Sequence, residues 1–401
     1  RLGRHYPVDP GRGIGGVNHA SRVHLLVAHE ETLRDKLLKE TGPDQGLIVI
    51  AVRFVDLAIQ HAIPSEDVAA RVAKGTWLDH RPLLCIFCVR VLGPPKQSLD
   101  LTPEYSKSDQ AAEYGSEVAG RLGIRAPIAI RVNPHIDPQT HPYISTGLKK
   151  NKFGIEIKRA IEDYRRAQQL KHVEIVGVDC HIGSQITDSR PFVEALAKIK
   201  ELVHNLRGHG IPIRYIDVGG GLGITYDREQ PPHPREYASA LMQEMKGFDC
   251  TLILEPGRVI VGNAGILVTR VLYIKEGTEK TFVTVDAAMN DLIRPSLYGA
   301  FQAIQPVVRP AGDATMVADV VGPICESGDF LARDRALPRM APDDLLAVMS
   351  AGAYGFTMSS NYNSRPRIPE VMVRDKNFFL VRKREQYDDL IRGETIPEWL
   401  Q

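Results

Sequence analysis

Long hydrophobic runs are missing from this 401-residue chain, and none reaches the roughly 18 residues needed to cross a lipid bilayer. An excess of one charge is missing too, because 50 Lys and Arg residues face 49 Asp and Glu residues, for a formal net charge of +1. That balance argues against nucleic acids and membrane surfaces as partners. Residues 1–30 also lack the uninterrupted apolar segment of a secretory signal peptide.

Cysteine is scarce as well. Five cysteines, an odd number in a long chain, do not suit a disulfide framework, so we expect a reducing, cytoplasmic environment. Cys85 and Cys88 have CxxC spacing, but no second pair follows, and we interpret them as buried thiols rather than metal ligands. No cluster of His, Cys and Asp has the spacing of metal ligands, so we predict no metal site.

What the sequence does contain is a regular alternation of helix and strand patterns between residues 116 and 254. Strands recur at steps of roughly 35–50 residues with a helix between them, which favours the βα units of a parallel (β/α)8 barrel. A doubly wound open sheet is the alternative. The predicted helices are Ser116–Leu122, Ile157–Leu170, Pro191–Leu206 and Tyr237–Met245, and the strands are Ala126–Val132, Val173–Cys180, Ile213–Val218 and a buried Thr251–Leu254.

Beyond Gly265, short β-branched segments separated by Gly, Asp and Pro predict a second, antiparallel β domain. We therefore predict an α/β chain in three parts. Residues 1–20 form an N-terminal segment associated with the β domain, residues 21–260 form the barrel, and residues 261–401 form the β domain. The strands predicted there are Ile266–Ile274, Lys280–Val285, Thr315–Val321, Leu345–Ser350, Val371–Val373 and Phe378–Val381, and a further candidate, Gly46–Val55, lies in the barrel range.

Two predicted barrel strands end in polar or glycine-rich sequence, at the edge where α/β proteins bind their ligands. In the HIGSQ segment, His181 could stack on a planar ring and Ser184 could bind a phosphate. In DVGGGLG, the glycines Gly219, Gly220 and Gly221 predict a tight turn whose N–H groups converge on an anion. The alternatives are a core histidine bonded to the backbone and a plain tight turn.

The last predicted barrel strand stops at Glu255-Pro256-Gly257-Arg258. This sequence sets an acid beside a base at the same edge of the sheet. Pro256 and Gly257 interrupt the strand, and Gly257 lets backbone N–H groups approach an anion closely. We interpret this turn both as part of the functional site and as the junction between the two domains.

The predicted β domain carries candidate functional residues of its own. Cys325 and Glu326 stand in CESGD on a turn, where neighbouring carboxylates favour a protonated thiol that donates a proton over a thiolate nucleophile. Arg294 and Tyr298 offer a guanidinium and a phenol suited to a carboxylate. Tyr354, between glycines, could contact a ligand. An inert cysteine, a solvated arginine and a packed tyrosine are the structural alternatives.

Taken together, six motifs in order resemble those of the diaminopimelate decarboxylase family: HIGSQ, DVGGGLGITY, LEPGRVIVGNAG, RPSLYGA, GPICESGDFLARDR and GAYGFTMSSNYNSRP. The resemblance runs from about Ser116 to Asp388, some two-thirds of the chain. It implies an alanine-racemase-like barrel with a C-terminal β domain, pyridoxal 5'-phosphate as cofactor, and decarboxylation of meso-2,6-diaminopimelate to L-lysine and CO2.

The resemblance also implies which residues hold the cofactor. His181 would stack on its ring, and Glu255 would face the pyridine nitrogen, where a carboxylate favours the protonated, electron-withdrawing ring. Tyr354 would contact both cofactor and substrate. The residues implied around the phosphate are Ser184, Gly219, Gly220, Gly221 and the Pro256-Gly257-Arg258 turn.

For the substrate, the resemblance implies that Cys325 protonates the α-carbon and that Glu326 meets the distal ammonium group. Arg258, Arg294 and Tyr298 would bind the distal carboxylate. Ornithine, lysine and arginine have no distal carboxylate, so a decarboxylase of one of these amino acids is the alternative that those residues disfavour. Because Cys325 and Glu326 would come from the partner subunit, the resemblance implies a homodimer with shared active sites.

Residues 1–110 depart from the family pattern. The family's cofactor-binding lysine, in a Tyr-Ala-x-Lys-Ala-Asn sequence, would fall near Val27-Ala28-His29, and that sequence is absent. Lys36, Lys39 and Lys74 are the nearest lysines. A frameshifted sequence and true divergence both explain the departure. A homologue that binds pyridoxal phosphate but is catalytically impaired is therefore a further alternative.

Overall fold

The computed structural model describes residues 47–51, 84–85, 111–137, 153–308, 314–374 and 376–400. The predicted lysine region, Cys88 and the N-terminal segment lie outside these residues. Strands β1 to β7 precede the predicted domain junction, and most of them build a parallel sheet. Their bounds are β1 Leu47–Ala51, β2 Leu84–Cys85, β3 Ala126–Asn133, β4 Ile155–Glu156, β5 Val173–Asp179, β6 Tyr215–Asp217 and β7 Thr251–Ile253.

The order of the parallel sheet distinguishes a barrel from a doubly wound sheet. Strands β2, β3, β5, β6 and β7 lie side by side in chain order and all run parallel, while β4 pairs with the end of β3. Each new strand is added on the same side, whereas a doubly wound sheet reverses its direction of growth at a switch point. The described strands therefore follow the singly wound order of a barrel.

Four helices connect these strands, namely α1 Ala111–Arg121, α2 Ala160–Gln168, α3 Arg190–Gly208 and α4 Pro234–Glu244. In α3, Phe192, Leu196, Ile199, Val203 and Leu206 recur at helical spacing and are all buried against the sheet. Burial of each such side chain contributes about 1.5–3 kcal/mol. Within the described ranges, no helix is both long enough and apolar enough to span a membrane.

The second sheet is larger, mostly antiparallel and centred on β8. Among the described residues, six of its strand pairings are antiparallel, while β1 with β14 and β9 with β11 pair in parallel. The bounds are β8 Gly265–Glu276, β9 Thr281–Val285, β10 Ile304–Pro306, β11 Thr315–Val321, β12 Phe330–Pro338, β13 Leu345–Val348, β14 Glu370–Arg374 and β15 Asn377–Arg382, with short helices α5 Arg294–Tyr298 and α6 Tyr387–Leu390.

The helices and strands predicted above for the two sheets are present, with ends that differ by a few residues. The burial predicted for Thr251–Leu254 is wrong: Thr251 and Leu254 are exposed, and Leu252 and Ile253 are partly buried. Strand β12 was not predicted, since charged side chains such as Arg333 and Asp334 interrupt its apolar pattern. Strand β1 lies in the predicted barrel range but pairs with β8 and β14 of the second sheet.

A buried tyrosine on α2 links the helix layer to the parallel sheet. The Tyr164 hydroxyl lies 3.1 Å from the carbonyl oxygen of Ile130 in β3 and 3.0 Å from that of Gly177 in β5. Its single hydrogen is donated between these two oxygens, and the side chain is fully buried. The hydroxyl therefore satisfies polar atoms that water cannot reach.

We expect Tyr164→Phe to lower the free energy of unfolding by about 2 kcal/mol, because it leaves buried carbonyl oxygens without their donor. Urea denaturation followed by circular dichroism measures the change. The matched control is Tyr387→Phe, whose side chain is 72% exposed and which should leave stability unchanged. Equal stability of the two variants would show that this hydrogen bond does not hold α2 to the sheet.

Candidate active site

Three loops at the carboxyl ends of β5, β6 and β7 are joined by backbone hydrogen bonds. The N–H of Cys180 donates to the carbonyl of Asp217 at 2.8 Å, and the N–H of Ile186 donates to the carbonyl of Gly221 at 2.9 Å. On the other side, the N–H of Glu255 donates to the carbonyl of Gly219 at 2.8 Å. The three motifs predicted at strand ends therefore form one continuous surface.

The glycine loop has no room for side chains. Gly219 and Gly221 have φ angles of +68° and +114°, a region that favours glycine. A Cβ atom on Gly220 would collide with the carbonyl oxygen of Glu255, and one on Gly221 would collide with that of Gly183. The backbone of this loop is therefore packed against both neighbouring loops, and the N–H groups of Gly219 and Gly220 donate to Asp217 and His181.

His181 lies beside this loop as a neutral ring. The N–H of Gly220 donates to its Nδ1 atom at 3.2 Å, so the neutral tautomer carries its proton on Nε2. Burial, with a smaller effect of the nearby Arg131 guanidinium, lowers the pKa of His181 to about 4. The imidazole is therefore uncharged at neutral pH and presents a flat surface on which another ring can stack.

Two carboxyl groups accompany the loop. The buried Asp217 accepts a hydrogen bond from the N–H of Gly219 at 2.8 Å, which fixes the first residue of the turn. Burial raises the pKa of Asp217 to about 6, the Gly219 hydrogen bond opposes this rise, and the Glu255 carboxylate adds to it. Glu255 itself is exposed among the described residues, so its carboxylate is accessible to a ligand.

Arg258 is buried beside the loops, although it carries a full charge. Its Nη1 donates to the hydroxyl of Tyr226 at 3.0 Å and its Nη2 donates to the hydroxyl of Ser184 at 2.8 Å. Its Nε atom is buried without a hydrogen-bond partner in the described part of the chain. The guanidinium thus meets neutral oxygens only, and one donor remains available.

Arg294, the first residue of α5, brings a second buried guanidinium to the same place. Its central carbon lies 4.4 Å from the centre of the Tyr226 ring. Burial lowers the pKa of Arg294, and the charge of Arg258 lowers it further, while Tyr226, Tyr298 and Tyr354 act in the opposite direction. The structure therefore brings both predicted arginines together with both predicted tyrosines.

Neither arginine forms an ion pair with a carboxylate within the described ranges. A buried charge without a partner is costly, and two like charges side by side are costlier still. Tyr354 covers part of this charge, since its ring centre lies 5.0 Å from the Arg258 guanidinium. Its hydroxyl also faces Gly257, where an added Cβ would lie 3.6 Å away. The arrangement suits a bound anion.

Cys325 and Glu326 lie apart from this cluster, on the loop between β11 and β12. Both are exposed, and Glu326 Oε2 accepts from the Tyr362 hydroxyl at 2.5 Å. Asp329 closes the loop by accepting from the N–H of Ile324 at 2.8 Å. Among the described residues, no hydrogen bond or ion pair joins Cys325 or Glu326 to the barrel loops. Pro256, in the turn after β7, is also exposed.

The sequence analysis missed two residues that organise the site. Tyr226 contacts both arginines, and its only signal was its place at the end of the quoted DVGGGLGITY motif. Gln185 ties the HIGSQ loop to the glycine loop, since its Oε1 accepts from the N–H of Ile224 at 3.1 Å. The lysines considered for the cofactor, Lys36, Lys39 and Lys74, lie outside the described residues.

The family described as "Pyridoxal-dependent decarboxylase, pyridoxal binding domain" matches residues 110–262. All three loops at the strand ends fall within this range. The neutral His181 ring, the tight glycine loop and the Ser184 hydroxyl held by the Arg258 guanidinium fit a group that combines a flat ring with a phosphate. The cofactor of this family is pyridoxal 5'-phosphate, as the sequence predicted.

Relatives extend the match beyond the barrel. The diaminopimelate decarboxylase of Pseudomonas aeruginosa is 54% identical over 290 residues, which cover 72% of this chain and 69% of the relative. That of Vibrio cholerae is 52% identical over 294 residues, covering 73% and 70%. A crystal structure of diaminopimelate decarboxylase from Helicobacter pylori complexed with L-lysine has a TM-score of 0.73 at 33% identity, covering 90% of this chain and 98% of that one.

The predicted fold class, an alanine-racemase-like barrel with a C-terminal β domain, is confirmed by the singly wound parallel sheet and by this structural similarity. The resemblance in six motifs is confirmed by the identity to curated relatives over about 70% of the chain. The chain belongs to the diaminopimelate decarboxylase family of pyridoxal-phosphate-dependent enzymes.

Proposed function

We propose that this chain decarboxylates meso-2,6-diaminopimelate to L-lysine and CO2 with pyridoxal 5'-phosphate as its cofactor. The observation that carries the proposal is the pair of buried guanidinium groups, Arg258 and Arg294, which have no carboxylate partner among the described residues and adjoin the glycine cradle. The names of the relatives support it, as does the lysine bound in the Helicobacter pylori structure.

The residues of the three loops would hold the cofactor. The Gly219–Gly221 loop and the hydroxyl of Ser184 would surround its phosphate, with the positive charge of Arg258 close by. The neutral His181 would stack on its ring, and the accessible Glu255 carboxylate would keep the pyridine nitrogen protonated. When bound, pyridoxal phosphate withdraws the electron pair that departing CO2 leaves on the α-carbon.

The two arginines would select the substrate. A guanidinium binds a carboxylate through two parallel N–H donors, and Arg258 and Arg294 would share the distal carboxylate with the Tyr298 phenol. Tyr354, stacked against Arg258, would contact both cofactor and substrate. Ornithine, lysine and arginine carry no carboxylate at that end, so two buried positive charges would repel their cationic side chains. The charge of the site therefore favours diaminopimelate.

A homodimer would complete the site. Cys325 would donate a proton to the α-carbon and Glu326 would bind the distal ammonium, both from the partner subunit. In support, the two residues are exposed and no hydrogen bond connects them to the barrel loops of their own chain in the described ranges. Tyr362 fixes the Glu326 carboxylate at 2.5 Å, which would orient it toward the partner's substrate.

The proposed domain boundary is at residues 260 and 261. Arg258, the last residue of the barrel loops, precedes it, and β8 begins at Gly265. With residues 1–20 as an N-terminal segment, the barrel would occupy residues 21–260 and the β domain residues 261–401, with β1 added to the β sheet. We propose a cytoplasmic location, supported by the odd number of cysteines.

A second candidate is a homologue that binds the cofactor but turns over poorly. The observation behind it is the missing Tyr-Ala-x-Lys-Ala-Asn sequence. A lysine attached to the cofactor speeds exchange with the substrate amine and product release. Reversible binding of pyridoxal phosphate without CO2 release from any amino acid would favour this candidate over the decarboxylase.

We expect CO2 release from meso-diaminopimelate and none from lysine, ornithine or arginine, measured with carboxyl-labelled substrates. Arg294→Ala should lower kcat/KM for diaminopimelate by at least about tenfold, because it removes a charge-assisted hydrogen bond to the distal carboxylate. Arg190→Ala is the control, since Arg190 is an exposed arginine paired with Asp188. Release from ornithine at a comparable rate would refute the assigned substrate.

We expect Gly220→Ala to weaken pyridoxal phosphate binding at least about tenfold, because the new Cβ forces the glycine loop away from Glu255. Gly208→Ala is the matched control, since nothing lies within 4 Å of a Cβ at that helix end. Titration of the cofactor by absorbance measures both. If Gly220→Ala bound the cofactor as tightly as Gly208→Ala, the phosphate would lie elsewhere.

A further inference from the structure

Tyr226 lies at the junction of the two arginines, and its backbone is fixed from both sides. Its N–H donates to Glu229 Oε2 at 3.0 Å, which closes the turn after the glycine loop. The carbonyl of the preceding Thr225 accepts from Asn263 Nδ2 at 2.8 Å and from the Ser350 hydroxyl at 3.2 Å. Because Ser350 follows β13, this turn is anchored to the β domain as well as to the barrel.

The buried Tyr226 side chain contacts each guanidinium in a different way. Its hydroxyl oxygen accepts from Arg258 Nη1 at 3.0 Å. Its ring face carries Arg294, whose central carbon lies 4.4 Å from the ring centre. The central carbon of Arg258 also lies over the ring, 5.8 Å from its centre. One rigid side chain therefore contacts both charges.

The two arginines reach this tyrosine from different parts of the fold. Arg258 belongs to the turn after β7 in the barrel, while Arg294 begins α5 in the β domain. Gln302 also contacts Arg294. When its amide nitrogen donates to the carbonyl of Met349, its amide oxygen accepts from Arg294 Nη1 at 3.3 Å. Two like charges repel, so their proximity requires a group that attracts both.

One donor of Tyr226 remains available. Its hydroxyl oxygen accepts from Arg258, and its own hydrogen has no acceptor in the part of the chain that the structure describes. The Nε atom of Arg258 is likewise buried without a partner there. A carboxylate beside Tyr226 would accept the hydroxyl hydrogen and offset the charges of Arg258 and Arg294.

We propose that Tyr226 is a substrate-binding and specificity-determining residue: it spaces Arg258 and Arg294 so that they share one carboxylate, and it donates its hydroxyl hydrogen to that carboxylate as a third donor. The proposal rests on the proposed function only in identifying this anion as the distal carboxylate of the substrate. The chemical class of the ligand end is a carboxylate on a flexible aliphatic chain.

The test is calorimetric binding of pimelate, a seven-carbon dicarboxylate with no amino group, to the full chain loaded with pyridoxal phosphate. Pimelate has no α-amine to react with the cofactor and is therefore not decarboxylated. Its binding can be measured without turnover. We expect Tyr226→Phe, which keeps the ring, to bind pimelate about tenfold more weakly. Tyr226→Leu, which also removes the ring beneath Arg294, should weaken binding further, while the affinity for 1,5-diaminopentane, which has no carboxylate, should stay within about twofold.

Tyr164→Phe is the matched control, because it removes a buried tyrosine hydroxyl that contacts strand carbonyls and not the arginines. It should lower stability and leave pimelate affinity unchanged. The proposal is overturned if wild-type protein does not bind pimelate, if Tyr226→Phe binds it normally, or if pimelate and 1,5-diaminopentane affinities fall equally. Loss of pimelate binding in Tyr226→Phe without CO2 release from diaminopimelate would support the role of Tyr226 and reject the proposed reaction.

Discussion

The burial of two positive charges side by side is the constraint on which the site depends. Arg258 follows the parallel sheet and Arg294 belongs to the β domain, yet both are almost fully buried. In the described ranges they contact neutral oxygens and aromatic rings instead of protein carboxylates. Such an arrangement is costly in the free protein and becomes favourable when an anion enters. Under the proposed function, this pair provides the attraction that selects a ligand with a distal carboxylate.

The rest of the fold places this pair of arginines beside the proposed phosphate site. Because the strands of the parallel sheet follow one another in chain order, the loops after β5, β6 and β7 become neighbours at one edge. Backbone hydrogen bonds join these loops, and only glycine at residues 219–221 lets them approach so closely. The proposed phosphate site and the proposed carboxylate site thus share Arg258, whose guanidinium donates to Ser184.

The sequence predicted the elements that local patterns determine. It did not predict the contacts between segments that lie far apart in the chain. The spacing of apolar residues predicted α3, and three glycines after a strand predicted the tight loop. Tyr226 could not be found this way, because its partners Arg258 and Arg294 lie 32 and 68 residues further along the chain. The place of β1 depends on long-range pairing with β8 and β14, so it does not follow from local sequence.

The most direct test is a crystal structure of the full chain grown with pyridoxal phosphate and pimelate. The account predicts the phosphate beside the Gly219–Gly221 loop and Ser184, the ring against His181, and one pimelate carboxylate in contact with Arg258 and Arg294. A protein carboxylate seated between the two arginines, or a phosphate bound away from the glycine loop, would contradict it, because the buried charges would then be a structural ion pair and not a ligand site.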